Sequence, residues 1–119
     1  DWIFVEDHCN AIDLILQKGK SGESYNISAN NETNNITVIK KILEIMNKSE
    51  DLIEFVEDRP GHDLRYSMDS TKITKNFNWT QKSNFEEGLL KTIQWYENKP
   101  EILNNLSNAL ESTPWKNSN

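Results

Sequence analysis

The stretch that decides the fold is Asp58-Arg59-Pro60-Gly61-His62-Asp63-Leu64-Arg65-Tyr66, which lies between two apolar segments. Pro60 has a fixed φ and Gly61 can adopt backbone angles closed to other residues, so the sequence predicts a turn. Arg59 and His62 projecting from one turn can bind one anion from two sides, because the guanidinium presents a planar fork of donors and the imidazole adds another. The alternative is an exposed turn whose own aspartates pair with its arginines.

Three further blocks of sequence accompany this stretch. They are DWIFVEDH at 1–8, YNISANNETNNI at 25–36 and FEEGLLKTIQWY at 85–96. In order and approximate spacing, the four blocks resemble the signatures of the dTDP-glucose 4,6-dehydratases of the extended short-chain dehydrogenase/reductase superfamily. The resemblance covers about residues 1–98, which makes it far more specific than any single block.

The resemblance implies a role in substrate binding for several residues. It implies that Arg59 and His62 hold the diphosphate of a nucleotide sugar, that Asn35 lies on the nucleotide side, and that Tyr96 lies near the base or sugar. The expected substrate-binding set also includes Asp58, Pro60 and Gly61, which shape the turn that orients Arg59 and His62. Asn35 and Tyr96 have simpler alternatives, a helix cap and a packing residue.

The parts of the family pattern that perform the chemistry are missing from this sequence. Members hold NAD on a glycine-rich strand–turn–helix, and they carry a Tyr-x-x-x-Lys pair and an Asp-Glu acid–base pair. The four glycines do not form the glycine-rich motif, and no tyrosine is followed by lysine at the fourth position. We therefore expect the C-terminal, substrate-binding part of a longer enzyme, with no catalytic residue and no activity of its own. The NAD-binding Rossmann domain would be absent from this chain.

The resemblance also implies a reaction for the longer enzyme, a lyase. In that family C4 of the hexose of dTDP-glucose is oxidised by bound NAD, water is lost across C5 and C6, and hydride returns to C6 to give dTDP-4-keto-6-deoxyglucose. Ser28-Ala29 stands where the family usually has Gly-Gly. A related UDP-sugar 4,6-dehydratase or an epimerase therefore remains an alternative. Non-catalytic alternatives are a sugar-nucleotide-binding module and a purely structural fragment.

Composition narrows the possible partners. The net charge of −6 argues against nonspecific nucleic-acid binding, which needs a basic face. No apolar run is long enough to span a membrane, and the single cysteine, Cys9, cannot form an internal disulfide. We expect a cytoplasmic protein without a metal site. The resemblance implies that the full-length enzyme is a homodimer built through helices of the cofactor domain, so this chain should not form that dimer.

The pattern of apolar residues predicts a mixed α/β lobe, with short strands alternating with helices. We expect a lobe at 1–98 and a C-terminal extension at 99–119 that is partly helical or disordered. Asp7, Asp69 and Asn84 are predicted to begin helices, and Gly19 to end the first. The predicted helices are 7–18, 37–48, 70–76 and 85–96, and the predicted strands are 2–5, 24–28, 52–56 and 65–68.

Overall fold

The computed structural model describes residues 1–104. This part of the chain is helical, with long connecting segments and one short 3₁₀ helix at Glu50–Leu52. None of the described helices is long and apolar enough to cross a membrane. The helices are α1 (Val5–Lys18), α2 (Asn35–Ile45), α3 (Thr71–Phe77), α4 (Phe85–Glu97) and α5 (Pro100–Asn104).

The four predicted strands are wrong, because residues 1–104 contain no β-strand. The backbone before α1 is extended at Phe4 (φ −68°, ψ 137°), as it is at Ile53 after the 3₁₀ helix (φ −81°, ψ 122°). An extended segment becomes a strand only when a neighbouring backbone supplies a ladder of hydrogen bonds. Trp2 N donates to Asn31 O at 3.3 Å, but a single bond of this kind does not make a ladder.

The helices were predicted more accurately than the strands. Asn84 caps α4 through a capping box, in which Asn84 Oδ1 accepts from Glu87 N at 2.9 Å and Glu87 Oε2 accepts from Asn84 N at 3.1 Å. Asn34, rather than Asn35, caps α2 by accepting from Thr37 N at 2.9 Å. Asp69 accepts from Thr71 N at 2.8 Å, so it serves α3 from one position before the N-cap, Ser70.

Asp7 does not begin α1 as predicted. The helix begins at Val5, and Asp7 lies buried in its first turn. Its two carboxylate oxygens accept hydrogen bonds from Lys82 N and Ser83 N, each at 3.0 Å. An acidic side chain in a first helical turn also interacts favourably with the helix dipole. Asp7 thus joins α1 to the segment that leads into α4.

The core is small and lies mainly between α1 and α3. Ala11 of α1 and Ile73 of α3 are fully buried, and Trp79 closes the cluster from the segment after α3. On the other side of the lobe, α4 comes close to the N-terminal segment at Gly88. A Cβ at this glycine would lie 2.8 Å from Phe4 Cβ. Six partly buried residues surround the cluster: Ile3, Leu14, Ile15, Tyr25, Ile27 and Phe77.

Candidate functional site

The predicted turn is present at Pro60-Gly61. Gly61 has a φ of +70°, which is the conformation that a type II turn requires of the residue after its proline. Asp58 holds the start of the turn, because Asp58 Oδ1 accepts from Arg59 N at 2.8 Å and lies 2.8 Å from His62 Nδ1. The hydrogen bond with His62, followed by that with the Arg59 backbone, lowers the pKa of Asp58.

His62 and Asn35 line one cavity of about 840 Å³, although they are distant in sequence. We call it the turn cavity. One wall is the segment from Glu32 to Asn35, at the start of α2, and the other is the segment from His62 to Tyr66. The first two residues of the chain, Asp1 and Trp2, complete its lining.

Arg59 stands beside the turn cavity and does not line it. It lies close to the Tyr66 side chain, which does line the cavity. The pKa of Tyr66 is raised, chiefly by a hydrogen bond with Asp63, and the neighbouring Arg59 opposes that shift. Within the described part of the chain the Arg59 guanidinium forms no ion pair. The pairing of the turn's own aspartates with its arginines, the alternative considered from sequence, is thus not seen at Arg59.

Tyr96 lies elsewhere. It lines a larger cavity of about 1300 Å³ between α2, α4 and the N-terminal segment. Its ring packs edge-on against Trp95, with the ring centroids 5.0 Å apart. Tyr96 therefore does not share a cavity with Asn35 and His62. Trp2 lines both cavities.

The loop before α2 is held by side chains from the start of the chain. The Asp1 carboxylate accepts from Asn31 N at 3.1 Å and from Asn30 N at 3.2 Å. Trp2 Nε1 donates to Thr33 O at 2.8 Å. Asn30 has a φ of 53°, in the left-handed region that asparagine tolerates better than most residues.

Ser28 and Ala29, which replace the usual glycines of the resembled family, are both buried. Ser28 Oγ donates to the Asp1 carboxylate, and Ala29 O accepts from Gln81 Nε2 at 2.9 Å. Neither residue lines the turn cavity. The Ser-Ala pair is therefore used in holding the loop.

Glu32 is the residue of the turn cavity that sequence reasoning missed. Its Oε1 atom accepts hydrogen bonds from Arg65 Nη2 and from Ser67 Oγ, the latter at 2.6 Å. Both hydrogen bonds lower the pKa of Glu32, the one from Arg65 more than the one from Ser67. The hydrogen bond between Arg65 and Glu32 also raises the pKa of Arg65. Its place in the Asn31-Glu32 pair of the second block was the available signal, but the sequence does not show which basic residue it meets.

The charges around the turn cavity are mixed. His62 and Arg65 supply positive or potentially positive groups, and Glu32 and Asp63 are acidic. A diphosphate could be bound here by donors that are not already paired with a carboxylate. No group of three or more potential metal-ligating side chains occurs within residues 1–104.

The family of the chain follows from its sequence. The profile of the GDP-mannose 4,6 dehydratase family matches residues 1–92, and the chain belongs to this family. Among curated relatives, the dTDP-glucose 4,6-dehydratase of Haemophilus influenzae is 45% identical over 107 residues, which cover 81% of this chain and 32% of that protein. The low-salt glycan biosynthesis protein Agl12 of Haloferax volcanii is 49% identical over 96 residues, covering 81% of this chain and 31% of that protein.

Solved structures agree with this assignment. The dTDP-glucose 4,6-dehydratase of Bacillus anthracis, in complex with NAD, matches at a TM-score of 0.80 and 46% identity over 85% of this chain and 32% of that one. The enzyme of Streptomyces venezuelae, with NAD and TYD bound, has the same TM-score and coverage at 35% identity. The matched residues therefore have the fold of the corresponding part of these dehydratases. The chain spans about a third of the length of the relatives that it matches.

Proposed function

We propose that this chain is the substrate-binding lobe of a dTDP-glucose 4,6-dehydratase, and that the full-length protein converts dTDP-glucose to dTDP-4-keto-6-deoxyglucose with bound NAD. In this proposal residues 1–98 form the lobe and residues 99–119 are an extension of it. The turn cavity, with His62 and Asn35 on opposite walls, is the observation that carries the proposal. The identity of 45% to a dTDP-glucose 4,6-dehydratase supports the choice of reaction.

Each residue at this site has a physical role in the proposal. Arg59 places its planar fork of donors on the diphosphate, and no carboxylate of the described residues competes for it by forming an ion pair. His62 donates to the same group while Asp58 fixes the orientation of its ring. Asn35 gives and accepts hydrogen bonds on the nucleotide side. Pro60 and Gly61 set the geometry of the turn.

Tyr96 has a weaker place in the proposal. It was expected near the base or sugar, but it lines the larger cavity, away from His62 and Asn35. Its edge-on packing with Trp95 is sufficient to account for an aromatic residue at this position. We propose a packing role for Tyr96.

NAD would bind outside these residues. Dinucleotide sites place the pyrophosphate on a glycine-rich turn at the start of a helix. None of the four glycines in this sequence begins such a motif, so the residues of this chain do not fit that part of the cofactor. When bound by the rest of the full-length protein, NAD would supply the redox chemistry, and the residues of this chain would bind and orient the substrate. We propose a cytoplasmic homodimer for the full-length protein.

A UDP-sugar 4,6-dehydratase is the second candidate, because Ser28-Ala29 departs from the usual Gly-Gly. Both residues are buried and lie outside the turn cavity, which favours an unchanged substrate site. The remaining candidate, a binding module without catalysis, would bind the same nucleotide sugar and turn nothing over.

One set of assays separates these candidates. Purified full-length protein is supplied with dTDP-glucose, UDP-glucose or UDP-N-acetylglucosamine, and the 4-keto product is measured. We expect turnover of dTDP-glucose, NAD copurifying with the full-length protein, and neither with residues 1–119 alone. Turnover of a UDP-sugar alone would favour the second candidate, and binding without turnover the third.

A further inference from the structure

We propose that Glu32 is a positioning residue for the substrate diphosphate. It joins the two walls of the turn cavity and so holds the binding groups on them in place. The inference rests on the proposed function, since it concerns the same ligand. Glu32 belongs to the wall before α2, and its partners Arg65 and Ser67 belong to the segment that follows the turn. The contact therefore contributes to the separation between Asn35 on one wall and His62 on the other.

The two walls are held very differently. The Glu32 wall is fixed on both sides, because Asn31 N donates to the Asp1 carboxylate and Thr33 O accepts from Trp2 Nε1. The opposite wall lies in a stretch, 53–69, that contains no helix or strand. A segment without secondary structure takes its position from a few specific contacts. The bonds from Glu32 to Arg65 and Ser67 are such contacts, and the hydrogen bond from Asp1 N to Tyr66 O at 2.7 Å is another.

Because Glu32 is charged, the direction in which its removal changes ligand affinity tests this role. Considered only as a charge, a carboxylate that lines an anion site repels the ligand, so its removal should tighten binding. Considered as the link between two walls, its removal should weaken binding, because Arg65 and the turn lose their fixed position. The two explanations predict opposite changes.

The experiment compares Glu32→Gln and Glu32→Ala with Glu23→Gln in the full-length protein. Glu23 is a matched control, because its Oε2 atom forms a similar half-exposed ion pair with Lys72, at 2.7 Å, away from both cavities. The probe is dTDP, whose dissociation constant is measured by calorimetry. KM and kcat are measured with dTDP-glucose.

We expect Glu32→Gln to raise the dissociation constant and KM by roughly two- to fivefold, the effect of losing one exposed ion pair, with kcat little changed. Glu32→Ala should have a larger effect, because it also removes the acceptor for Ser67, and Glu23→Gln should have none. In an Arg65→Ala background, Glu32→Gln should no longer weaken binding. Hydrogen exchange without ligand should become faster at 62–67 in Glu32→Gln and stay unchanged in Glu23→Gln.

Tighter binding in Glu32→Gln, or behaviour equal to that of Glu23→Gln, would overturn the inference. Loss of affinity that persists in full when Arg65 is absent would overturn it as well. Failure of the proposed function gives different results: a protein for another nucleotide sugar would bind neither dTDP nor dTDP-glucose in its wild-type form, and a binding module would bind dTDP but show no turnover of dTDP-glucose. The exchange measurement needs no ligand, so it would test the link between the walls in either case.

Discussion

Arg59 and Arg65 belong to the same polar stretch, but the structure gives them different surroundings. Arg65 is paired with Glu32, whereas Arg59 forms no ion pair within residues 1–104. A guanidinium that is already neutralised by a carboxylate has less to offer a phosphate. We therefore propose that Arg59 binds the ligand and that Arg65 positions the wall.

The first prediction concerns Arg59 in the full-length protein. Arg59→Ala should weaken the binding of dTDP-glucose by roughly ten- to a hundredfold, because a charge-assisted hydrogen bond to phosphate contributes about 1.5–3 kcal/mol. Arg59→Lys should restore only part of the affinity, since a point charge does not reproduce the bidentate fork. Calorimetric titration gives the affinities, and thermal unfolding serves as the control. An unchanged affinity with a lowered Tm would make Arg59 a residue that stabilises the turn.

The second prediction concerns the titration of Asp58. Its pKa is lowered from 3.8, chiefly by the hydrogen bond with His62, so the ionised carboxylate is the form that the folded turn favours. Asp58 therefore contributes to the order of the turn above its ordinary pKa, and the contribution is lost as the pH falls through the lowered value. A carboxyl NMR titration should give a midpoint below 3.8 in wild-type protein, and a higher midpoint in His62→Ala. Equal midpoints in the two proteins would contradict the assigned cause.

At the scale of elements, Asp7 shows what the sequence cannot distinguish. An aspartate just before an apolar helical pattern is a common N-cap, and that was the prediction. The structure buries the carboxylate against Lys82 N and Ser83 N, on a segment far along the chain. As an N-cap, Asp7 would accept from backbone donors of its own helix, whereas in the structure it accepts from donors about 75 residues away in sequence. Local patterns identified α1 and missed the partner of Asp7.

The third prediction follows from this anchor. Asp7→Ala leaves two partly buried backbone donors, Lys82 N and Ser83 N, without their acceptor, so it should lower the free energy of unfolding by about 1–3 kcal/mol. Asp13→Ala is the matched control on the same helix, because Asp13 is exposed and, among residues 1–104, accepts a hydrogen bond from Gln17 alone. Its effect should stay within about 0.5 kcal/mol. Chemical denaturation of both variants measures the difference, and equal stabilities would show that Asp7 is not an anchor.

The same distinction between local and distant contacts explains the outcome for the other elements. α4 was predicted with its cap, because Asn84 and Glu87 are close in sequence and form the capping box by themselves. The turn at Pro60-Gly61 was predicted for the same reason. The predicted strands failed, since pairing depends on a neighbouring backbone that sequence periodicity does not identify. The link from Glu32 to Arg65 was missed because it too depends on the tertiary fold.

At the scale of the whole molecule, the segment 52–56 exposes several large apolar side chains. Phe55 is 85% exposed and Val56 75% exposed, and the segment belongs to no helix or strand after the 3₁₀ helix ends at Leu52. Exposed apolar side chains concentrated in one segment are typical of a surface that binds another part of a protein or a partner. It leads directly into the Arg59–His62 turn, where we propose that the substrate diphosphate binds.

The fourth prediction is that the full-length protein covers this segment. The chain spans about a third of its relatives' length, so most of such a protein lies outside it. Backbone amides at 53–56 should exchange hydrogen at least roughly tenfold more slowly in the full-length protein than in residues 1–119. A tenfold change corresponds to about 1.4 kcal/mol of added protection. Amides of α1 around the buried Ala11 are the internal control, because their helix is complete in both proteins. Equally fast exchange at 53–56 in both would mean that the exposed apolar segment is a surface of the complete protein, open to other partners.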